Sequence, residues 1–309
     1  MSEAAVEYKQ TRQGYVDALI ALAAEDPRVL VLDADVAKAS KTCDFEQAFP
    51  DRFFNCGIQE QNMMSVAAGL AIEGFLPFAT TFGVFAACRA ADQVRNSIAY
   101  PKLNVKIGAT HCGVTTGGDG ASHQANEDIA ILRAIPNMTI LVPGDYEEAR
   151  LATLAAAAFV GPAYIRAGRD NYRVVLELHG RFEIGKAKVL RPVGEWTIVS
   201  TGILTAEALE AAGILEEEGI HAGVIHMPTI KPLDRDCLLA AARGSRGFVT
   251  VEEHSILGGL GEAVCGVLAE EMPRPVARIG MRDTADELLT KFGLRAVNIV
   301  ESVRRLAAR

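Results

Sequence analysis

A carboxylate, Glu60, stands at the start of an apolar helical stretch, GIQEQNMMSVAAGLAIEG (57–74), with a glutamine on either side. Behind it Met63, Val66, Ala67, Leu70 and Ala71 recur at helical spacing and predict a core-facing side. Acidic residues suit a first turn because they face the positive end of the helix macrodipole. A carboxyl group against an apolar wall has a second use: its pKa rises, and it can share a proton with a ligand. More residues of this kind follow other apolar runs. Asp33 and Asp35 close the run that begins at Val29. Phe82 and Phe85 follow LPFATT (76–81), and His111, Asp119 and His123 follow NVKIGAT (104–110). Arg166 lies in AYIRAG (163–168). Histidines move protons near neutral pH, a guanidinium fork grips phosphate, and an aromatic pair orients a flat ring. Singly, each has a structural explanation: a lone histidine is more often a satisfied core residue, and Phe82 and Phe85 are ordinary core packing. Together they predict a polar catalytic mouth.

The elements that must position these residues are legible as an alternation. VLVLDA (29–34), LPFATT, NVKIGAT, MTILVPGD (138–145) and AYIRAG read as buried parallel strands. Helical stretches such as 14–26 and 146–159 lie between them, the pattern of a doubly wound sheet. A polar stretch, 168–195, interrupts it. A second alternation follows: WTIVSTG (196–202), a helix from Thr205 to Glu217, HAGVIHM (221–227), GFVTVEEH (247–254), a helix from Gly261 to Glu271, and PVARIG (275–280). The fold class is therefore α/β with two doubly wound domains, a parallel-sheet domain over 1–185 and a smaller, mostly parallel one over 190–309, joined near 180–193. In such sheets ligands collect outside the carboxyl ends of the strands, where the residues above lie.

Composition excludes several classes. The 309 residues are half hydrophobic and 23% charged, with a net charge of −8, an ordinary globular balance. There is no basic stripe with interleaved aromatics, so nucleic acid is not expected as a partner. No run approaches a membrane span, and the N-terminus has no apolar signal core. The six cysteines show no CxxC and no metal-ligand spacing, and read as free thiols of a reducing cytoplasm.

GIQEQNM (57–63), TTFGVF (80–85), THCGVTTGGDGASHQ (110–124) and PNMTILVPGD (136–145), in this order and spacing, make the chain resemble the C-terminal half of transketolase over essentially its whole length. That half is the pyrimidine-binding domain followed by the C-terminal domain. The resemblance implies a thiamine-diphosphate-dependent transfer of a two-carbon ketol unit from a ketose phosphate to an aldose. The family's N-terminal domain, which binds diphosphate and Mg²⁺, is missing. The chain thus looks like the small subunit of a split transketolase, whose partner carries the GDG…N motif, in an expected α2β2 heterotetramer. The GDG at 118–120 resembles the start of a metal motif, but positions 145–149 read DYEEA with no Asn, so no metal ligand is expected here.

The resemblance also implies roles. Glu60 matches the residue that bonds the aminopyrimidine N1′, Phe85 the ring that stacks on the aminopyrimidine, and Phe82 its companion. Asp35 matches a residue near the thiazolium ring. His111 matches the sugar-phosphate contact, and Asp119 and His123 match groups on the sugar hydroxyls, the histidines keeping their spacing of twelve. Arg166 and Arg12 match phosphate-gripping arginines. Ser40 is the nearest candidate for the family's phosphate-site serine, one place late because position 39 is Ala39. Cys88 stands where many transketolases have Tyr, so another side chain must wall the pyrimidine pocket. His221, His226, His254 and the glycine-rich SILGGLGEAV (255–264) read as structural. Three rivals remain. A 1-deoxyxylulose-phosphate synthase shares GDGxxHQ, but His111 argues against it. The β subunit of a 2-oxoacid dehydrogenase also comes as a separate chain, but TFGVF and THCG fit it poorly. The third is a non-enzymatic binding module.

Overall fold

A computed structural model describes residues 7–176, 180–281 and 296–307. The first sheet is built on β2 (Val29–Asp33), β4 (Leu76–Phe82) and β5 (Lys106–Thr110), every residue of which is buried. Continuous apolar runs form such strands because helices cover both faces of a parallel sheet. β6 (Thr139–Leu141) and β7 (Ala163–Arg166) extend it on one side and β3 (Phe53–Asn55) on the other. All these pairings are parallel. The second sheet holds β10 (Trp196–Ser200), β11 (Ala222–His226), β13 (Gly247–Ser255) and β14 (Val276–Met281) in parallel, with β9 (Lys188–Arg191) antiparallel at its edge. The fold is the expected α/β pair of domains.

The short edge strands were not expected. The polar stretch 168–195 contributes β8 (Asn171–Arg173), which pairs antiparallel with β1 (Tyr8–Gln10), and it also contributes β9. Edge strands of three or four residues carry too little alternation to be read from pattern. Between β11 and β13, β12 (Thr229–Lys231) leaves its own domain and pairs antiparallel with β6, closing the edge of the first sheet. Lys231 Nζ then donates to the carbonyls of Arg133 and Ile135 at the end of the helix Asp128–Ala134, where a cation also suits the helix dipole.

The two domains share part of their core. A single apolar cluster runs from Leu32, Met63 and Ile107 in the first to Ile225, Phe248 and Val264 in the second. Beside it lies a buried polar seam. His226 Nε2 sits 2.6 Å from Glu148 Oε2, and Lys188 Nζ 3.3 Å from Glu148 Oε1. Gly144 N donates to the same carboxylate, and Thr205 Oγ1 holds His226 Nδ1 at 2.7 Å. Burial opposes the charge on Glu148, but His226 and Lys188 outweigh it and hold the carboxyl below its ordinary pKa. Breaking a buried pair leaves one charge or dipole uncompensated. Glu148→Ala is therefore expected to lower the unfolding free energy by about 3–5 kcal/mol in urea denaturation. A loss below about 1 kcal/mol would mean that the seam behaves like a surface ion pair.

Candidate active site

Glu60 is the first residue of the helix Glu60–Ile72 and is 1% exposed. The buried face of that helix is Met63, Met64, Ala67 and Ala68. Val66 points outward, so the core-facing stripe is rotated from the one expected. The setting of Glu60 also differs from an all-apolar wall. Arg89 Nη1 lies 2.8 Å from one carboxylate oxygen and 3.0 Å from the other, and Thr81 Oγ1 donates at 3.5 Å.

Four rings gather in front of this carboxylate. Phe82 stacks on Phe85 with centroids 5.9 Å apart and on His111 at 4.0 Å. His123 stands edge-on to Phe85 at 5.3 Å. Chain geometry shapes this cluster. After β4 the backbone enters a π-helical turn, Phe85–Arg89, in which Ala90 N bonds Phe85 O. Such turns concentrate at functional sites. The wider turn brings Arg89 back over Phe85, its guanidinium carbon 4.1 Å from the ring centroid. Cys88 is turned aside toward Glu127, with Sγ 3.7 Å from the carboxylate, and burial raises its thiol pKa to about 11. The side chain that stands over the Phe85 face is thus Arg89 rather than Cys88.

His111 follows β5 in the left-handed backbone region, φ 57°, and is 1% exposed. Thr110 Oγ1 lies 3.0 Å from Nδ1, and Asp119 Oδ2 3.7 Å from Nε2. Burial first, then the charge of Arg12, lower the His111 pKa to about 4. Arg169 Nη1 bonds the carbonyl of Thr116 and stands 3.6 Å from Asp119. Arg12 Nη1 donates to Ala39 O. Burial, then the charge of Arg169, push the Arg12 guanidinium below its usual value. Two cations and a neutral imidazole thus converge at the mouth around a single carboxylate, Asp119, an excess of positive charge that a further anion would relieve. The loop after His111 is fixed from the second domain. Glu253 accepts from Val114 N, Thr115 N and Thr115 Oγ1 at 2.9–3.0 Å. Gly113 permits this approach: a Cβ there would lie 2.2 Å from the Glu253 carboxyl carbon.

Two expected site residues are not at the mouth. Arg166 is 6% exposed. Its Nε and Nη2 donate to Asp128, and Nη2 donates also to the carbonyls of Ala125 and Glu253. The last residue of a strand is packed between sheet and helix, whereas the loop beyond faces ligand. Arg169, three residues further on, is the arginine that arrives at the site. Ser40 is fully buried and donates to Asp33 and Ala37 O, so its hydroxyl serves the loop. Asp35 is exposed, with φ 64°, and accepts from Asn55. Glu60, Phe82, Phe85, His111, Asp119, His123 and Arg12 lie in or beside the cluster. Arg89, Arg169 and Glu253 were missed. Only Arg169 left a signal, as the first arginine beyond the β7 edge.

The chain matches the model of the transketolase pyrimidine-binding domain over residues 7–175 and that of the transketolase C-terminal domain over 185–299. It is 45% identical to a putative transketolase C-terminal section of Methanocaldococcus jannaschii, covering 96% of each chain. It is 40% identical to the 6-deoxy-6-sulfo-D-fructose transketolase subunit SqwH of Clostridium sp. (strain MSTE9), covering 99% of this chain and 97% of that one. Among solved structures, a split gene transketolase described as an inactive β4 tetramer superposes with a TM-score of 0.90 at 52% identity, over 96% of this chain and 97% of that one. The chain belongs to the transketolase family and corresponds to the C-terminal part of its split members.

His111 yields a stability test. In the unfolded chain its imidazole takes up a proton near pH 6.5. In the fold it stays neutral to about 4. Between these values the unfolded state binds more protons, so this residue makes stability fall as pH falls. Glu252, whose pKa burial raises to about 7, works in the opposite sense, so the wild-type curve alone does not isolate His111. The comparison is with His111→Asn, since asparagine tolerates the left-handed backbone. The stability of wild type minus variant is expected to shrink from pH 6.5 to 4, by up to about 1.4 kcal/mol per pH unit. A pH-independent difference would mean that His111 titrates alike in both states.

Proposed function

We propose that this chain is the pyrimidine-side subunit of a two-chain transketolase, active with a partner that carries the diphosphate-binding domain. The observation that carries the reading is the pairing of the Phe85 face with the buried Glu60 carboxylate, bridged by one flat guanidinium, beside a cationic mouth. A planar ring with a nitrogen at its edge suits this pair: Phe85 offers a face and Glu60 a carboxylate. Thiamine diphosphate, when bound, supplies the nucleophilic carbon and the electron sink that two-carbon transfer requires. Glu60 would bond N1′ of its ring and share a proton there. Phe85, backed by Phe82, orients the ring. His123 at the rim is placed to move a proton at a sugar hydroxyl. His111, neutral at working pH, and Asp119 bond the sugar. Arg12 and Arg169 grip its anionic end, and Asp35 lies on the thiazolium side.

Several observations support a partner. The chain spans nearly all of its split relatives but only 48% of the human transketolase-like protein 2, to which it is 38% identical. The outward side of the Glu60 helix carries exposed Val66 and Ile72, with Ile58 just before it and Phe75 just after. Such apolar groups beside a half-built site suit an obligate interface. The β4 neighbour is described as inactive, which fits a half that needs its counterpart in an α2β2 assembly. Among the described residues no group of three His, Cys, Asp or Glu side chains could hold a metal ion, and the reading assigns Mg²⁺ to the partner. No described helix is long and apolar enough to cross a membrane. The six cysteines are free, and the reading keeps the chain in a reducing cytoplasm. The paired arginines would bind a sulfonate as readily as a phosphate. The 6-deoxy-6-sulfo-D-fructose relative makes a sulfosugar donor the second reading.

The test is reconstitution with the partner chain, Mg²⁺ and thiamine diphosphate. Xylulose 5-phosphate and 6-deoxy-6-sulfofructose are compared as donors, with ribose 5-phosphate as acceptor. Transfer is expected only with both chains and is lost in Glu60→Ala. A pair that binds cofactor yet transfers from neither donor would overturn the reading. Arg169→Ala is expected to raise KM for the anionic donor about 10–100-fold with kcat little changed, the size of a lost charge-assisted bond. Arg166→Ala should act on stability instead, by about 3–5 kcal/mol. The reverse result would restore Arg166 to the substrate site.

A further inference from the structure

We propose that Arg89 is a resident occupant of the pyrimidine slot, a guanidinium that lies where the cofactor ring must lie and leaves when the ring enters. The proposal rests on the cofactor reading above. A guanidinium and an aminopyrimidine share a shape and a bonding pattern. Both are flat, both stack on an aromatic face, and both can set an edge N–H against a carboxylate, the guanidinium always and the ring when N1′ carries the shared proton. Arg89 makes both contacts at once. Its guanidinium carbon is 4.1 Å from the Phe85 centroid, and Nη1 reaches both oxygens of Glu60. The two groups the reading assigns to the ring are therefore already engaged.

The arrangement follows from the chain's own constraints. Glu60 is 1% exposed, and a buried carboxylate without a partner is costly. Besides Arg89, Thr81 is the only side chain bonded to it among the described residues, at 3.5 Å. Arg89 satisfies the carboxylate from a position where its own side chain remains 40% exposed, so it can withdraw to solvent without unpacking the core. The π-helical turn Phe85–Arg89 sets its direction. Cys88, adjacent to Arg89, is held toward Glu127 and leaves the space over Phe85 to Arg89. When a ring enters, Glu60 exchanges one flat donor for another and is never left bare. Cofactor affinity is then reduced by the share of molecules in which Arg89 holds the slot.

Calorimetric titration of thiamine diphosphate with Mg²⁺ into the assembled two-chain complex tests this. It compares wild type with Arg89→Met, which keeps an unbranched apolar stem, and with Arg89→Gln, which keeps a polar tip. Both variants are expected to bind about two- to fivefold more tightly, the range set by a half-exposed ion pair. A crystal structure of the loaded wild-type complex is expected to show Arg89 off the Phe85 face and apart from Glu60. Unchanged or weaker binding in both variants, or an Arg89–Glu60 pair that persists beside the bound ring, would overturn the proposal and leave the cofactor reading standing. Failure of the wild-type complex to bind thiamine diphosphate would overturn both.

Discussion

The buried pair between Arg166 and Asp128 joins three pieces of chain. Arg166 ends β7, Asp128 opens the helix after the substrate-side loop, and Glu253, whose carbonyl accepts from Arg166, belongs to the second domain. Tyr164 donates to the same carboxylate. Burial works against the charge on Asp128, yet the charge of Arg166 and the hydrogen bonds from Arg166 and Tyr164 outweigh it and hold the carboxyl below its ordinary pKa. Desolvated ions are tolerated only when geometry and extra hydrogen bonds compensate for lost hydration. Here that requirement fixes where the loop ends and where the second domain sits. The mouth of the site inherits its shape from this pair, though neither residue faces it.

The second domain therefore does more than assemble. The Glu253 carboxylate ties down backbone that follows His111, and Gly113 leaves room for it. His254, next in the strand, is a neutral imidazole: burial lowers its pKa to about 4, Nδ1 donates to Ser255 O, and Nε2 accepts from Ala130 N. It was read as structural, and these bonds are structural. The neighbouring Glu252 accepts from Leu260 N and Gly261 N at the start of the helix Leu260–Glu271. In that position the glycine-rich turn is answered by the chain's own carboxylate.

What the sequence disclosed follows physical lines. β2, β4 and β5 were legible because burial on both faces demands unbroken apolar runs. β1, β3, β8, β9 and β12 were not, because three or four edge residues carry no period. Of the expected site residues, Glu60, Phe85 and His111 lie in or beside one cluster, because each stands directly after or at the start of a strongly patterned element. Arg166 was misplaced because pattern shows where a strand lies but not where packing ends and solvent begins. In IRAGR (165–169) the second arginine, beyond that point, reaches the mouth. Ser40 fell to the same ambiguity in a loop whose hydroxyls turn inward to Asp33. The role of Arg89 depends on a π-helical turn, and no residue period announces one.

A divided enzyme poses a physical problem: each half must fold while carrying an unfinished site. Folding is secured here by apolar clusters within each domain and by one that spans both. On the proposed function the unfinished site is the harder part, because Glu60 serves a ring nitrogen from a buried position, and a buried carboxylate awaiting a ligand weakens the fold. A charge at the surface would remove that cost but give up the desolvated setting on which its chemistry depends. Arg89 resolves the conflict by lending Glu60 a partner that is itself half in water. The strength of that loan then sets a limit on the cofactor, since whatever Arg89 contributes to the empty slot must be displaced when the ring arrives.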